Sequence, residues 1–521
     1  MAVATRTGGK AAAKAFEARL DRARNLQRAG DAVGAIAQFE AALKLAPGDP
    51  SALAALGELA RDLNAPEQAA GFFRAALTAD PASVRALHGM AHALRDLGRQ
   101  EEAVGLLQSA LPLQPAAAPL WTAMGVLMAD VEDHDNAETF LSEALRLDPT
   151  DGAAAGNLAE VLFCAGRIDD ARTAYARALK LRPGDAALRF NHALFALGTG
   201  DIATGWRDYE ARLDRRYPRF VRRDTSFRRW NGQPIPKGRL LVLAEQGVGD
   251  ELHFLHCVDD VASRVGELWW EVDPRLLDLC RASFPAVQFM PWQASARPGF
   301  HRSHAWTKDA PRFDAAIEAG SLQTLFRRDP ASFPAAPLLD AETAHPAPDG
   351  PLRIGLSWTS IRRNRLRDRG YVALDDLGPL LSVPGIEWVN VQYGEVDADI
   401  AAAERRFGIR IHTEAGLDLK DDFSGTARLM GSLDLVIAPT NTARQLAASL
   451  GVPSLVFSRL PYEFALGQAV NPFFPWMEDV VRLPDRVWAR AVETVAGKVR
   501  ALAARQPAER SSATRRAIRS R

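Results

Sequence analysis

The sequence predicts two fold classes in series: an α-helical repeat array, then a pair of parallel α/β lobes. Three observations carry that reading. Prolines recur every 34 residues in the first part of the chain, a period that fits stacked helix pairs. From about residue 239 the pattern changes to apolar runs alternating with helical periods, as in a parallel sheet with crossover helices. At 521 residues the chain exceeds one ordinary core, because domains usually hold about 100–200 residues.

The composition is 47% hydrophobic and 25% charged, which fits a folded globular chain and excludes a disordered or collagen-like one. Lys+Arg and Asp+Glu both total 64. No global positive field therefore argues for nucleic acid, and phosphate chemistry must come from a local cluster. Cys164, Cys257 and Cys280 show no CxxC spacing, which argues for a reducing interior and against a zinc ribbon or disulfide scaffold. The first 14 residues lack the apolar core of a signal peptide, and no later segment reaches the ~18–20 apolar residues of a membrane helix. A cytoplasmic protein with a disordered N-terminus (1–14) is expected.

The repeats come first. Pro47, Pro81, Pro115, Pro149 and Pro183 set the phase. Ala42, Ala76, Ala110, Ala144 and Ala178 precede them by five residues, and Ala35, Ala69, Ala103, Ala137 and Ala171 by twelve, with Phe39, Phe73, Leu107, Leu141 and Tyr175 between. Small residues let two antiparallel helices approach, the large one fills the gap, and proline ends the second helix. Gly30, Gly98 and Gly166 mark the turns, with Asn64 in repeat two. The pattern resembles the tetratricopeptide repeat family over residues 15–215. A degenerate sixth copy from Asn191 to Leu213 is expected to cap the array and dock it onto the α/β part of the chain. The concave face would present Arg61, His88, His92, Arg95, Asn157 and Glu160 to a protein partner. His88 and His92 stand four apart, but no third ligand lies nearby, so groove histidines are expected and no metal.

In the second part, strands are expected at 240–244, 268–272, 287–290 and 313–317, then at 352–358, 388–392, 433–438 and 454–457, with a closing helix from Asp485 to about Ala504. Two Rossmann-like lobes, 216–340 and 351–505, would flank a linker at 341–350 that contains Pro346 and Pro348. The Arg- and Ser-rich tail 506–521 is expected to be disordered. Clefts between such lobes are the usual place for ligands.

Four stretches, Leu241–Asp250 (LVLAEQGVGD), Gly320–Leu322 (GSL), Ile354–Trp358 (IGLSW) and Leu446–Pro453 (LAASLGVP), resemble two-domain GT-B glycosyltransferases of the heptosyltransferase-like group, in its subset fused to tetratricopeptide repeats. The resemblance implies inverting, metal-independent transfer of a sugar from a nucleotide donor, with no cofactor. It implies a protein acceptor, with flagellin modified by a nonulosonic acid a recurring theme. It assigns Asp250 as general base toward the acceptor hydroxyl; an aspartate opening a helix is equally a capping residue. Glu245 is a second carboxylate at the same strand end. Gly247 and Gly249 would offer backbone N–H groups to a phosphate or hydroxyl. With Leu252 where a dinucleotide motif needs glycine, NAD is not expected.

Arg362, Arg363, Arg365, Arg367 and Arg369 follow the 352–358 strand, in which Ser357 lies, and guanidinium groups suit a nucleoside phosphate or a sugar carboxylate where no metal is bound. Gln392 and Tyr393 fall where relatives contact the nucleotide base, and Thr440, Asn441 and Thr442 offer hydroxyl and N–H groups at another strand end. Here the chain departs from heptosyltransferases, which usually show Asp-Thr-Gly and a histidine where this chain has Thr440-Asn441-Thr442 and Gln445; ADP-heptose is thereby disfavoured, and a CMP-, UDP- or GDP-linked sugar is left open. His253, His256, His301 and His304 are expected to be helix-face or loop residues. Two alternatives remain: a non-catalytic repeat adaptor with a degenerate transferase domain, and a lipopolysaccharide heptosyltransferase-type enzyme.

Overall fold

The computed structural model describes residues 4–29, 31–224, 226–295, 300–334, 336–341, 350–360, 368, 370–459, 465–482 and 488–505. The chain divides into two units, Met1–Pro183 and Gly184–Arg521.

The first unit is five helix pairs: α1 (Ala4–Arg28) and α2 (Ala32–Leu45), α3 (Pro50–Asp62) and α4 (Pro66–Ala79), α5 (Val84–Asp96) and α6 (Gln100–Ala110), α7 (Ala118–Asp130) and α8 (His134–Leu147), α9 (Gly152–Cys164) and α10 (Ile168–Leu181). Helix α1 already begins at Ala4, so the expected disordered stretch 1–14 is helical from that residue on. Every phase-setting alanine is buried, and so is the bulky residue between each pair of them. Glycines on the first helices make room for them: a β-carbon on Gly89 would stand 2.2 Å from the Phe73 ring, and one on Gly125 2.6 Å from Leu141. Asp49, Ser83 and Asp151 cap α3, α5 and α9 by accepting backbone N–H bonds, the favoured helix start. The turns need left-handed backbone, with φ of 74° at Gly98, 77° at Gly166 and 59° at Asn64. Glu132 fills the same place in the fourth repeat at φ 58°, where glycine would be strain-free. Gly30 lies outside the described residues.

The second unit begins with the hairpin α11 (Ala186–Gly198) and α12 (Ile202–Tyr209), the degenerate sixth copy. The sixth copy, expected inside the solenoid that ends at residue 215, belongs to the second unit. The reason is apolar burial: Leu197, Ile202, Trp206 and Tyr209 share a core with Ala448, Phe473, Phe474 and Trp476. Trp206 Nε1 also donates to the Arg327 carbonyl at 2.8 Å.

Thirteen strands are described, β1 (Arg222–Arg223), β2 (Ile235–Leu243), β3 (Val265–Val272), β4 (Gln288–Pro291), β5 (Gln293–Ala294), β6 (His301–Ser303), β7 (Ala315–Glu318), β8 (Leu352–Leu356), β9 (Ile386–Asn390), β10 (Ile411–His412), β11 (Leu435–Pro439), β12 (Ser454–Ser458) and β13 (Met477–Val481). One parallel sheet has the order β4-β3-β2-β7, a second β10-β9-β8-β11-β12-β13, and a small sheet joins β1, β6 and β5. All eight expected strands exist. The edge strands β10 and β13 and the small sheet were not expected; they are short or mixed in pattern, with β13 exposing Glu478 and Val481. A continuous buried cluster, including Leu252 and Leu255 on one side and Ala443, Leu446 and Ala447 on the other, joins the two lobes. Residues 342–349 of the linker and the tail from 506 lie outside the described residues, as does the expected helix start at Asp485; the closing helix is Ala489–Ala503. No described helix is long and apolar enough to cross a membrane.

Candidate functional site

Helix α13 (Val248–Phe254) follows β2, and a helix over Thr442–Ser449 follows β11. Both start at the carboxyl ends of central parallel strands, the edge of such sheets where ligands bind. They pack on one another. A β-carbon on Gly249 would touch the Gln445 side chain at 4.0 Å, and Gln445 Nε2 lies 3.2 Å from His253 Nδ1.

On the first lobe, Gly247 is extended at φ −107° and caps α13, its N–H donating to Asp250 Oδ2 at 3.1 Å. Asp250 thus makes the one half of a capping box that a glycine N-cap allows, its carboxylate accepting from the N-cap N–H, and it is half-buried. Left-handed backbone falls one residue before the glycine, at Gln246 with φ 61°. Glu245 is corrected as a candidate base: it is buried, and its two oxygens accept from Arg212 Nη2 at 2.7 Å, Arg212 Nε at 3.0 Å and the Gly320 N–H at 2.7 Å. Both oxygens of this buried carboxylate are engaged with Arg212 and the Gly320 N–H, so it serves as an internal anchor.

Beneath the turn lies a charged cluster that motif reading missed. Glu251 accepts from the Asp273 N–H at 2.5 Å and stands 3.6 Å from the Arg302 guanidinium. Burial pushes its carboxyl up to about 8, with Arg302 pulling the other way. His304, expected in a polar loop without partners, is buried with Nε2 3.2 Å from Glu271 and Nδ1 3.4 Å from Asp224. His253 and His256 are likewise no surface helix residues: both pack against Phe473 and Phe474, and burial holds both well below the ordinary histidine range, hence neutral.

On the second lobe the strand ends are knitted together. Gln392 Oε1 accepts from Ser357 Oγ at 2.8 Å, the Trp358 N–H at 3.0 Å and the Thr359 N–H at 2.9 Å. Asn441 Nδ2 donates to Ser357 Oγ at 2.8 Å and to the Thr359 carbonyl at 3.0 Å, while its Oδ1 caps the following helix. Ser357 and Gln392, expected to contact the donor, are both buried and engaged in this network. Thr440 is exposed, Thr442 and Tyr393 half-buried, and the Tyr393 hydroxyl lies 3.0 Å from Ser360 Oγ. Arg362, Arg363, Arg365, Arg367 and Arg369 lie outside the described residues. Arg444, passed over in the sequence, is a buried guanidinium in the first turn of the Thr442–Ser449 helix, close enough to Asp479 to oppose the upward push of burial on that carboxyl. An arginine directly after the Thr440–Ala443 strand-end segment was the available signal.

In the repeats, Arg61 Nε donates to Asp96 at 3.0 Å and Arg95 Nη2 to Asp130 at 3.2 Å. With Gln27 donating to Asp62 at 2.9 Å, these bonds form a ladder whose members stand 34 apart. Arg61 and Arg95 are thus engaged between successive repeats rather than reserved for a partner. His88 and His92 touch, Nε2 to Nε2 at 3.2 Å; burial pushes His92 down to about 2. Glu160 accepts from the Tyr175 hydroxyl at 2.8 Å, and Asn157 is half-buried on α9. Among the described residues no group of three His, Cys, Asp or Glu side chains could hold a metal.

The chain is similar to protein FlbA of Caulobacter vibrioides, with 31% identity over 334 residues, covering 61% of this chain and 55% of the relative; it thus spans about half the length of that relative. Among solved structures it is similar to a thermophilic tetratricopeptide repeat protein of Thermus thermophilus, at 29% identity over 35% of this chain and 99% of that one with a TM-score of 0.33. It is also similar to PilF of Pseudomonas aeruginosa, at 23% identity over 40% of this chain and 94% of that one with a TM-score of 0.32. Residues 20–84 and 129–194 match the tetratricopeptide repeat. The chain therefore contains tetratricopeptide repeats, followed by a unit of parallel sheets and helices.

Proposed function

We propose that this chain is a metal-independent glycosyltransferase of GT-B type that modifies a protein held by its repeats. Repeats of this class suggest a protein partner. The observation that carries the enzymatic reading is the apposition of the two strand-end elements, with the Gly247–Asp250 turn of one lobe on a helix packed against the Asn441-capped helix of the other. Asp250 takes the proton from a serine or threonine hydroxyl as its oxygen bonds to the anomeric carbon. The bond from that carbon to the nucleotide phosphate breaks, and the departing phosphate meets Thr440, Thr442, the N-terminal N–H groups of the Thr442–Ser449 helix and the positive charge of Arg444. The donor class remains a CMP-, UDP- or GDP-linked sugar, a nonulosonic acid on flagellin being the specific case the resemblance implies.

A second reading, an adaptor that performs no transfer, is favoured by one observation: Glu245, Ser357 and Gln392 are all consumed internally. Thermal shifts with CMP, CDP, UDP, GDP and ADP separate the two. A donor site gives stabilisation by at least one nucleotide, and silence from all five favours the adaptor. For the enzyme, Asp250→Asn keeps an acceptor for the Gly247 N–H and lowers transfer by about 100-fold or more; unchanged turnover removes Asp250 from the base role.

A further inference from the structure

The hairpin α11–α12 looks like one more repeat, yet its end and the 3-10 turn Glu210–Leu213 that follows build the first lobe's strand end. Arg212 is buried and all five of its polar contacts are internal. Nε and Nη2 reach the two Glu245 oxygens, Nη2 also reaches Ser321 Oγ at 2.9 Å, and Nη1 donates to the Tyr209 carbonyl and Glu210 Oε1 at 3.1 Å each. Its guanidinium lies 4.5 Å from the centre of the Tyr209 ring. The Tyr209 hydroxyl in turn accepts from Gln246 Nε2 at 2.7 Å, and Gln246 is the residue held in left-handed backbone just before Gly247. Gly320 closes the arrangement: a β-carbon there would stand 2.7 Å from Glu245 Oε1 and 2.9 Å from Arg212 Nη2. The Gly320-Ser321 pair therefore serves this junction, glycine by leaving space and serine by accepting from arginine.

We infer that Tyr209 and Arg212 are positioning residues for the Gln246–Asp250 turn, so that the terminal helical hairpin is a structural part of the candidate site. A non-glycine residue in left-handed backbone is strained and persists only where its surroundings hold it. Here the holding bonds are the Gln246–Tyr209 hydrogen bond and the Arg212–Glu245 pair at the adjacent residue. Releasing either lets the turn relax and moves Asp250, which caps through Gly247.

The activity arm of the test rests on the transferase reading; the exchange arm does not. Tyr209→Phe in the full-length chain keeps the buried ring and removes only the hydroxyl. The expected result is amide exchange at Asp250 and Glu251 faster by about five- to tenfold, the scale of one hydrogen bond, with β8, β11 and β12 unchanged. Transfer should then lose kcat with the KM for the nucleotide sugar unmoved. Arg212→Lys, which keeps charge but loses the fork, should show the same pattern more strongly. Wild-type exchange at the turn in Tyr209→Phe, or a rise spread evenly over the whole unit, overturns the inference. If the wild-type chain transfers no sugar at all, the exchange result still decides positioning, and only the proposed function fails.

Discussion

The repeats and the strand-end site are built from bonds of different reach. In the first unit the side-chain ladder joins residues 35 apart, Arg61 to Asp96 and Arg95 to Asp130. At the site, Arg212 reaches Ser321 across 109 residues and Gln445 reaches His253 across 192. Local contacts repeated in register make each repeat nearly independent of distant ones, whereas the site exists only when the whole second unit has formed. Damage should accordingly stay graded in the first region and be cooperative in the second.

The largest test of that contrast is truncation. Starting the chain at Gly184 leaves the second unit with its full core, and its cooperative thermal transition by circular dichroism should survive. Starting at 216 removes Leu197, Trp206, Tyr209 and Arg212, and at about 1.5–3 kcal/mol per buried large side chain the loss is comparable to the usual margin of about 5–15 kcal/mol once the orphaned Glu245 is added. That transition should vanish. Next, Arg212→Met strands a buried carboxylate and should cost about 3–5 kcal/mol in denaturant melts, while Arg61→Met, which breaks a part-exposed rung, should cost at most about 1 kcal/mol. Equal losses would erase the distinction.

Smaller effects sharpen it within the repeats. Gly89→Ala drives a methyl into the Phe73 ring and should destabilise by about 1–3 kcal/mol, whereas Gly71→Ala and Gly105→Ala, with nothing within 4 Å, should each stabilise by about 0.5–1 kcal/mol. Titration gives a further test in the second unit. Glu251 is raised to about 8 when folded, so the unfolded chain releases that proton first, and Glu251's contribution to stability is full below the ordinary glutamate range and lost as pH rises through about 8. The neutral His253 and His256 act oppositely, since unfolding lets them take up protons below about pH 6.5. Glu251→Gln should therefore flatten the melting temperature between pH 6.5 and 8.5 and leave the acid-side fall intact; a wild-type slope above pH 6.5 would show that Glu251 is already ionised.

The same difference in reach explains what could be read in advance. Ala69, Phe73 and Ala76 announce their burial because the pattern recurs in four other copies, and β2, β8 and β11 are continuous apolar runs. Glu245 and Asp250 look alike in sequence, two carboxylates at one strand end. Only the return of Arg212 from upstream and Gly320 from downstream shows that one is an internal anchor and the other a helix cap beside the opposing lobe. Ser357 and Gln392 are hard to read for the same reason: nothing near them in sequence marks their mutual bond beyond the ends of β8 and β9. The Arg–Asp ladder was present in the 34-residue period yet invisible until each side chain had its neighbour.

The boundary between the two units at Pro183 has an evolutionary consequence. Unequal recombination between copies 34 residues apart can lengthen, shorten or replace the array while the final hairpin, travelling with the sheets, passes unaltered to the descendants. The surface that the repeats present can then drift from lineage to lineage without disturbing the core of the second unit, and a laboratory graft that respects the same seam inherits that freedom.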